Sequence, residues 1–335
     1  MRRRVPLPPF PDDFPVSILV TGAAGFIGAH VCQALAARGD TVVGLDDFNA
    51  YYDPQLKRDR VAALCPQVPI VAADVAQADL GALLQQHGVT RIVHLAAQAG
   101  VRYSLENPQA YAHSNLDGFL AVLEAARHRG VAHLVYASSS SVYGAGAVPP
   151  FVEEARIDRP LSFYAATKAA NEAMAYSYAH LYRIPLTGLR FFTVYGPWGR
   201  PDMAPLLFSR AVLAGRPIEV FNHGRMRRDF THIDDIVAGV LAALDRPPQD
   251  TPPHRVYNLG NHTPEALEDF IAVIEAAAGR PAVRIDRDMQ PGDMPQTMAD
   301  TARAQAELGY EPRRSIAEAL PGVVHWCRDY FGDKA

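Results

Sequence analysis

The chain is predicted to fold as an α/β protein, a doubly wound parallel sheet with helices on both faces, followed by a smaller C-terminal lobe. Three observations predict it. A glycine-rich turn joins an apolar strand to a helical pattern near the start. Short apolar runs then alternate with helical patterns, and after Gly196 the segments become shorter and richer in loops. The strands fall at 17–22, 41–46, 68–73, 91–96, 133–138 and 187–192, with a later one at 256–259. Long helical patterns cover 109–129 and 165–182. They carry apolar residues on more than one face, among them Phe119, Leu120, Val122 and Leu123, which fits either a subunit interface or deep burial within one chain. There is no internal repeat. This organisation gives one doubly wound α/β domain at 16–195, with a return segment near 234–260, and a second lobe from 196–233 and 261–335.

Composition narrows the function classes. With 335 residues, 49% hydrophobic and 20% charged, the chain can bury a large core. A net charge of −4 gives no general electrostatic reason to bind nucleic acid. Cys32, Cys65 and Cys327 are odd in number and too scattered for a metal cluster, which suits a reducing cytoplasm. No apolar run approaches the ~20 residues of a membrane span. Met1-Arg2-Arg3-Arg4 is followed by a proline-rich stretch from Pro6 to Pro15 where a signal peptide needs an apolar run, so residues 1–15 read as a disordered or loosely packed leader.

The first motif is the run Ser17-Ile18-Leu19-Val20 into Thr21-Gly22-Ala23-Ala24-Gly25-Phe26-Ile27-Gly28. Glycines three apart let the backbone turn tightly and bring helix-terminal amides against a pyrophosphate. The pattern differs by one residue, in its first interval, from the common dinucleotide fingerprint. A second strand ends at Asp46, 18 residues after Gly28, placed to accept from both hydroxyls of an adenosine ribose. An acid there repels a 2′-phosphate and favours NAD over NADP. The bland alternative is a glycine turn that only packs a helix on a strand.

The second motif is Ser162-Phe163-Tyr164-Ala165-Ala166-Thr167-Lys168. On a helix, Tyr164 and Lys168 share a face. Lowering a tyrosine from its usual pKa by ~3 units takes ~4 kcal/mol, which an adjacent ammonium and a nicotinamide cation together can supply. The resulting phenolate is a base suited to an alcohol. Taken alone, Tyr-x-x-x-Lys is more often an ordinary amphipathic helix.

Read in order, these residues resemble the extended short-chain dehydrogenase/reductase superfamily over roughly residues 16–330, and within it the NAD-dependent nucleotide-sugar epimerases. The carriers are Gly22, Gly25, Gly28, Asp46, Asp74-Val75, the strand end His94-Leu95-Ala96-Ala97-Gln98, and Tyr164 with Lys168. More narrowly, the run from Leu189 through Met203, Arg228-Asp229-Phe230-Thr231 and Gln290-Pro291-Gly292-Asp293 are similar to the UDP-glucuronate 4-epimerases. The resemblance implies NAD held by Gly22, Gly25, Phe26, Ile27, Gly28, Asp46, Asn49, Asp74, Val75, Ala96, Ala97, Gln98, Tyr164, Lys168 and Phe191. It implies transient oxidation of a UDP-sugar at carbon 4, with Tyr164 as base and Lys168 beside it. A third hydroxyl comes from Ser138-Ser139-Ser140-Ser141. Ser139 matches the galactose-epimerase position, Ser141 lies on the same face of an extended strand, and at least one of the four serves only backbone hydrogen bonds.

The same resemblance implies the substrate contacts. Related dehydratases carry an Asp-Glu pair where this chain has serines, and related UDP-glucuronate decarboxylases carry a Glu at Ser141, so both reactions are disfavoured. Thr193 and Arg200 match the carboxylate grip, with Arg102 and the backbone near Ser140 as further candidates. Arg228 matches the diphosphate-binding Arg, Phe221 and Asn222 lie beside uridine, and Asp293 accepts from its ribose. Gln290 departs from galactose epimerases, which have an Arg there, and shifts the diphosphate onto Arg228. His94, His223 and His232 show no metal-ligand spacing. A homodimer through helices near 109–129 and 165–182 is expected. UDP-glucuronate decarboxylase and UDP-glucose 4-epimerase are the rival reactions, and a non-catalytic dinucleotide sensor is the rival class.

Overall fold

The computed structural model describes residues 17–289 and 294–332. The leader at 1–15, Gln290 and the expected uridine contact Asp293 lie outside the described residues. Among these, twelve strands run in chain order. They are β1 (Ser17–Thr21), β2 (Thr41–Asp46), β3 (Ile70–Ala72), β4 (Arg91–His94), β5 (His133–Ser139), β6 (Leu186–Phe191), β7 (Thr193–Tyr195), β8 (Pro217–Phe221), β9 (Arg227–His232), β10 (His254–Leu259), β11 (Pro264–Ala266) and β12 (Val283–Arg287).

Seven of these form one parallel sheet in the order β10-β6-β5-β4-β1-β2-β3. The chain builds outward from β1 through β2 to β3 and then crosses to β4 on the other side of β1. That reversal opens a crevice at the carboxyl ends of β1 and β4. Both faces are covered, so the central strands read as unbroken apolar runs. Within β1 the period of two is still visible. Ile18 and Val20 pack with Val31 and Val240 on one face, while Leu19 packs with Val122 and Ala175 on the other. A third cluster, with Val220, Phe230, Phe270 and Leu320 among its members, centres a smaller assembly around β7, β8, β9, β11 and β12.

Two of the expected strands are shorter than their apolar runs. β4 stops at His94 because the chain leaves the ladder there, and the Ala96 amide turns to the Thr21 hydroxyl (3.2 Å). β3 begins at Ile70, since Pro69 has no amide and contributes only its carbonyl, to Gly44 N (2.9 Å). The pattern at 109–129 is a helix at Pro108–Tyr111, a π segment at Ala112–Asp117 and a helix at Gly118–Arg129. Its apolar excess is largely internal core: Phe119, Val122 and Leu123 are buried, and only Leu120 of that group is exposed, at 44%. The other helix runs Phe163–Tyr182, started by Ser162, whose hydroxyl accepts from Ala165 N (3.1 Å). Among the described residues no helix is long and apolar enough to cross a membrane.

Candidate active site

The helix Phe26–Arg38 starts at Gly25 with no side-chain cap and no acid in its first turn, so its leading amides keep their donors for an anion. Backbone packing demands the glycines. Gly22 sits at φ +69°, and a Cβ there would stand 2.7 Å from Ala96 N; at Gly28 a Cβ would stand 2.0 Å from the Gly22 carbonyl oxygen. At the end of β2 the buried Asp46 carboxylate accepts from Ala24 N (3.0 Å) and Phe48 N (2.8 Å), with Lys57 Nζ at 3.9 Å. Burial pushes its pKa up, opposed by Lys57. An uncapped helix start with an acid at the next strand end fits a dinucleotide without a 2′-phosphate.

These groups open into a cavity of about 390 Å³, within the range of small-molecule sites. All the residues expected at the cofactor line it: Gly22, Gly25, Phe26, Ile27, Gly28, Asp46, Asn49, Asp74, Val75, Ala96, Ala97, Gln98, Tyr164, Lys168 and Phe191. Ser139, Ser140, Ser141, Thr193 and Arg200 line it too. Arg102, Phe221, Asn222 and Arg228 do not line this cavity. Arg102 instead lies over the Phe221 ring, 4.5 Å from its centre, Asn222 donates to the Arg225 carbonyl (2.8 Å), and Arg228 donates to the Arg227 carbonyl (3.2 Å).

In the cavity Ser139 interacts with Tyr164 and favours its ionised form, and the Ser141 hydroxyl donates to Ser139 Oγ (2.9 Å). The strand geometry expected for Ser141 is not what brings it there. β5 ends at Ser139, and Ser140–Tyr143 is a 3₁₀ turn in which Ser139 Oγ also accepts from Ser141 N (3.2 Å). Ser138 also borders the cavity, but its hydroxyl donates to buried Glu172 (2.5 Å), which Arg190 grips at 2.9 and 2.7 Å. Burial raises the Tyr164 pKa, while the Ser139 interaction and the Arg200 charge oppose the rise. Burial alone takes Lys168 down to about 8, and its ammonium donates to the Ala137 carbonyl (2.9 Å). The phenolate expected from sequence is therefore not favoured by these side chains by themselves. It needs a further positive charge in the cavity.

Several partners escaped the sequence reading. Arg200 is held by Asp202 at 3.1 and 2.5 Å and donates to the Ala99 carbonyl (3.2 Å). Burial works against its charge, yet Asp202 outweighs this and raises the pKa. Tyr51 donates to Asp202 (3.1 Å), and Tyr51, Tyr52 and Lys57 line the cavity. Asn115, in the π segment, brackets the strand-end loop, accepting from Gln98 N (2.8 Å) and donating to the Gln98 carbonyl (3.1 Å) and Thr167 (2.9 Å). A buried polar residue inside an apolar helical run was the available signal. His94 is buried against Thr21 (2.7 Å) and is lowered to about 3 by burial and Lys168. His232 caps the helix Ile233–Leu244. Among the described residues no three His, Cys, Asp or Glu side chains are grouped to hold a metal ion.

The family model of the NAD dependent epimerase/dehydratase family matches residues 18–260. The chain is 47% identical to UDP-glucuronate 4-epimerase 4 of Arabidopsis thaliana over 95% of its own length and 77% of the relative's. It is 45% identical to a probable UDP-glucuronate 4-epimerase of Rhizobium meliloti (strain 1021), over 92% and 96% respectively. Among solved structures, the UDP-glucuronic acid 4-epimerase of Bacillus cereus in complex with UDP-glucuronic acid and NAD superposes with a TM-score of 0.88 at 35% identity, covering 94% of this chain and 100% of that one.

Proposed function

Because the chain belongs to the NAD-dependent epimerase/dehydratase family, we propose that it interconverts UDP-glucuronate and UDP-galacturonate by transient oxidation at carbon 4. The observation that carries this reading is one cavity lined by the glycine cradle, the Tyr164–Ser139 pair, Lys168 and Arg200. NAD held by the cradle would supply the hydride acceptor and donor for carbon 4 and a positive charge in the site. Tyr164 takes the proton of the 4-hydroxyl, with Ser139 hydrogen-bonded to its oxygen and Ser141 completing the chain of hydroxyls. Lys168, lowered to about 8 by burial, still carries its charge at neutral pH and favours the phenolate. Proton return from Tyr164 to the keto oxygen closes the cycle without net redox change.

Thr193 and Arg200 are the proposed grip on the uronate, for which the substrate competes with Asp202. A charge-assisted contact of this kind contributes more than a neutral one. Arg200→Ala is therefore expected to weaken UDP-glucuronate by ~30-fold, or ~2 kcal/mol, and UDP-glucose far less. Equal weakening of both sugars would move the assignment to Arg102 or to the backbone near Ser140.

The lobe formed by 196–233 and 261–335 is the proposed UDP site, with Arg228 at the diphosphate and Phe221 and Asn222 at uridine, and residues 16–195 with 234–260 hold NAD. A homodimer is proposed through the helices Gly118–Arg129 and Phe163–Tyr182, which leave Leu120, Tyr176 and Leu181 exposed at 44%, 53% and 48%; sedimentation velocity tests it. The cytoplasm is the proposed compartment, supported by three buried, unpaired cysteines and testable by cell fractionation.

The deciding experiment is incubation of purified protein with UDP-glucuronate and no added cofactor. UDP-galacturonate is the expected product. A UDP-pentose would make the enzyme a decarboxylase, and unchanged substrate would sink the reading.

A further inference from the structure

Arg60 lies on the helix Pro54–Leu64 and is 0% exposed. Its guanidinium spends every arm on neutral oxygens. Nε donates to the Trp198 carbonyl (2.9 Å), Nη2 to the Gly199 carbonyl (3.2 Å), and Nη1 to the Ala24 carbonyl (2.6 Å) and the Tyr52 hydroxyl (3.2 Å). Among the described residues no carboxylate forms an ion pair with it. A buried cation left without a counter-charge is unfavourable unless it is thoroughly hydrogen-bonded, and its field reaches whatever anion enters nearby.

The four acceptors come from three separate stretches of the chain. Ala24 belongs to the glycine turn of the cofactor cradle. Trp198 and Gly199 come directly before Arg200, which lines the same cavity. Trp198 is held at φ +63°, a conformation that an L side chain adopts only under constraint. Its ring is packed against Trp326 and Tyr330 at 5.0 Å each, and Tyr330 donates to Asp59 (2.6 Å), the residue before Arg60. Carbonyl bonds on one side and ring contacts on the other keep this strained turn in place.

We propose that Arg60 is a positioning residue that couples the cofactor cradle to uronate recognition: one guanidinium fixes both the glycine turn and the turn that presents Arg200. The proposal rests on the epimerase reading for the identity of the uronate. It also makes a demand that reading does not, namely that a side chain outside the cavity sets the preference between charged and neutral sugars.

Arg60→Met removes charge and donors, and Arg60→Lys keeps the charge with fewer donors. Calorimetric affinities of UDP-glucuronate and UDP-glucose are measured on the NAD-loaded proteins, together with retained NAD per chain and thermal midpoint. In Arg60→Met the preference for UDP-glucuronate over UDP-glucose is expected to fall at least 10-fold and retained NAD to drop. Arg60→Lys should restore part of both, and it carries the comparison if the Met variant does not fold. Unchanged preference, or both sugars weakened equally, would overturn the coupling and leave Arg60 as a structural prop. Wild-type turnover in the same preparation is read separately. Binding of UDP-glucuronate without epimerisation would sink the reaction while the affinity comparison still decides the role of Arg60.

Discussion

At the scale of single residues, the site is a contest between burial and charge. To act as the proposed base, Tyr164 must lose a proton in a place where burial raises its pKa, so the Ser139 interaction and neighbouring positive charge have to offset that rise. Tyr164→Phe keeps the ring and removes the acceptor. Its turnover should fall ~10²-fold or more, the scale of lost general base catalysis, while bound NAD and UDP-sugar affinity are retained. Near wild-type turnover would mean that another group takes the proton. Lys168 offers a second test. Its pKa is lowered from 10.5 to about 8 by burial, so the fold disfavours the charged form by ~3 kcal/mol. The sign follows from proton counts. Between the folded value near 8 and the unfolded value, the unfolded chain binds more protons, so stability rises with pH across that window. Lys168→Met should therefore be more stable than wild type at pH 7 and inactive, with its advantage shrinking toward pH 10. A stability difference that does not move with pH would refute the argument. Tyr164 and Lys168 were legible in the sequence because helical spacing alone sets their proximity. Asp202 on Arg200 was equally local, yet no periodicity marks it. Two of the four partners of Arg60 lie 138 and 139 residues away, beyond the reach of any local rule.

At the scale of elements, the strand–turn–helix unit carries the proposed cofactor site, and its glycines are set by contact geometry. Each of the seven strand runs expected for the main sheet is present, since burial on both faces leaves an unmistakable apolar run. The ends were less legible, because β4 and β5 finish where the chain turns into the cavity and hydroxyls replace ladder partners. The π segment at Ala112–Asp117 was read as plain helix for a similar reason: one extra residue per turn hardly changes the apolar pattern, although it is what brings Asn115 onto the Gln98 loop. Gly28→Ala tests the turn. Its methyl would meet the Gly22 carbonyl at 2.0 Å, against backbone that cannot swing aside, so the turn must open. Purified Gly28→Ala is expected to lose most of its bound NAD, read by mass spectrometry of the denatured supernatant, and to be destabilised by ~1–3 kcal/mol. Full NAD content would show that the cradle tolerates the shift.

At the scale of the whole molecule, the main sheet and the smaller sheets are stitched by a buried carboxylate, Asp229, that the sequence reading named within a motif but gave no role. Asp229 sits in the middle of β9, whose neighbours Arg228 and Thr231 drew attention as part of a motif, and it is 0% exposed. Its Oδ1 accepts from Asn261 N (2.6 Å) and the Thr231 hydroxyl (3.1 Å); Oδ2 accepts from His262 N (3.1 Å) and Ala299 N (2.9 Å). Asn261 and His262 follow the end of β10, so one side chain ties the edge strand of the main sheet to the small sheet and to the segment at 299. Burial raises its pKa and the three backbone amides oppose the rise, so ionisation here depends on those donors staying in place. An apolar run announces a core, whereas a lone acid in a motif does not announce four donors from distant loops. Asp229→Asn is nearly isosteric, but an amide nitrogen cannot accept. Two donors would face an NH₂ group, leaving them buried and unsatisfied at ~1–3 kcal/mol apiece. The expected result is a loss of ~2–4 kcal/mol in denaturant unfolding, larger than charge removal from a group that burial already penalises would give. UDP-sugar affinity should fall with it, because Arg228 is adjacent on the same strand. A neutral or stabilising Asp229→Asn would mean that the carboxylate is already protonated in the fold and that the stitch runs through packing instead.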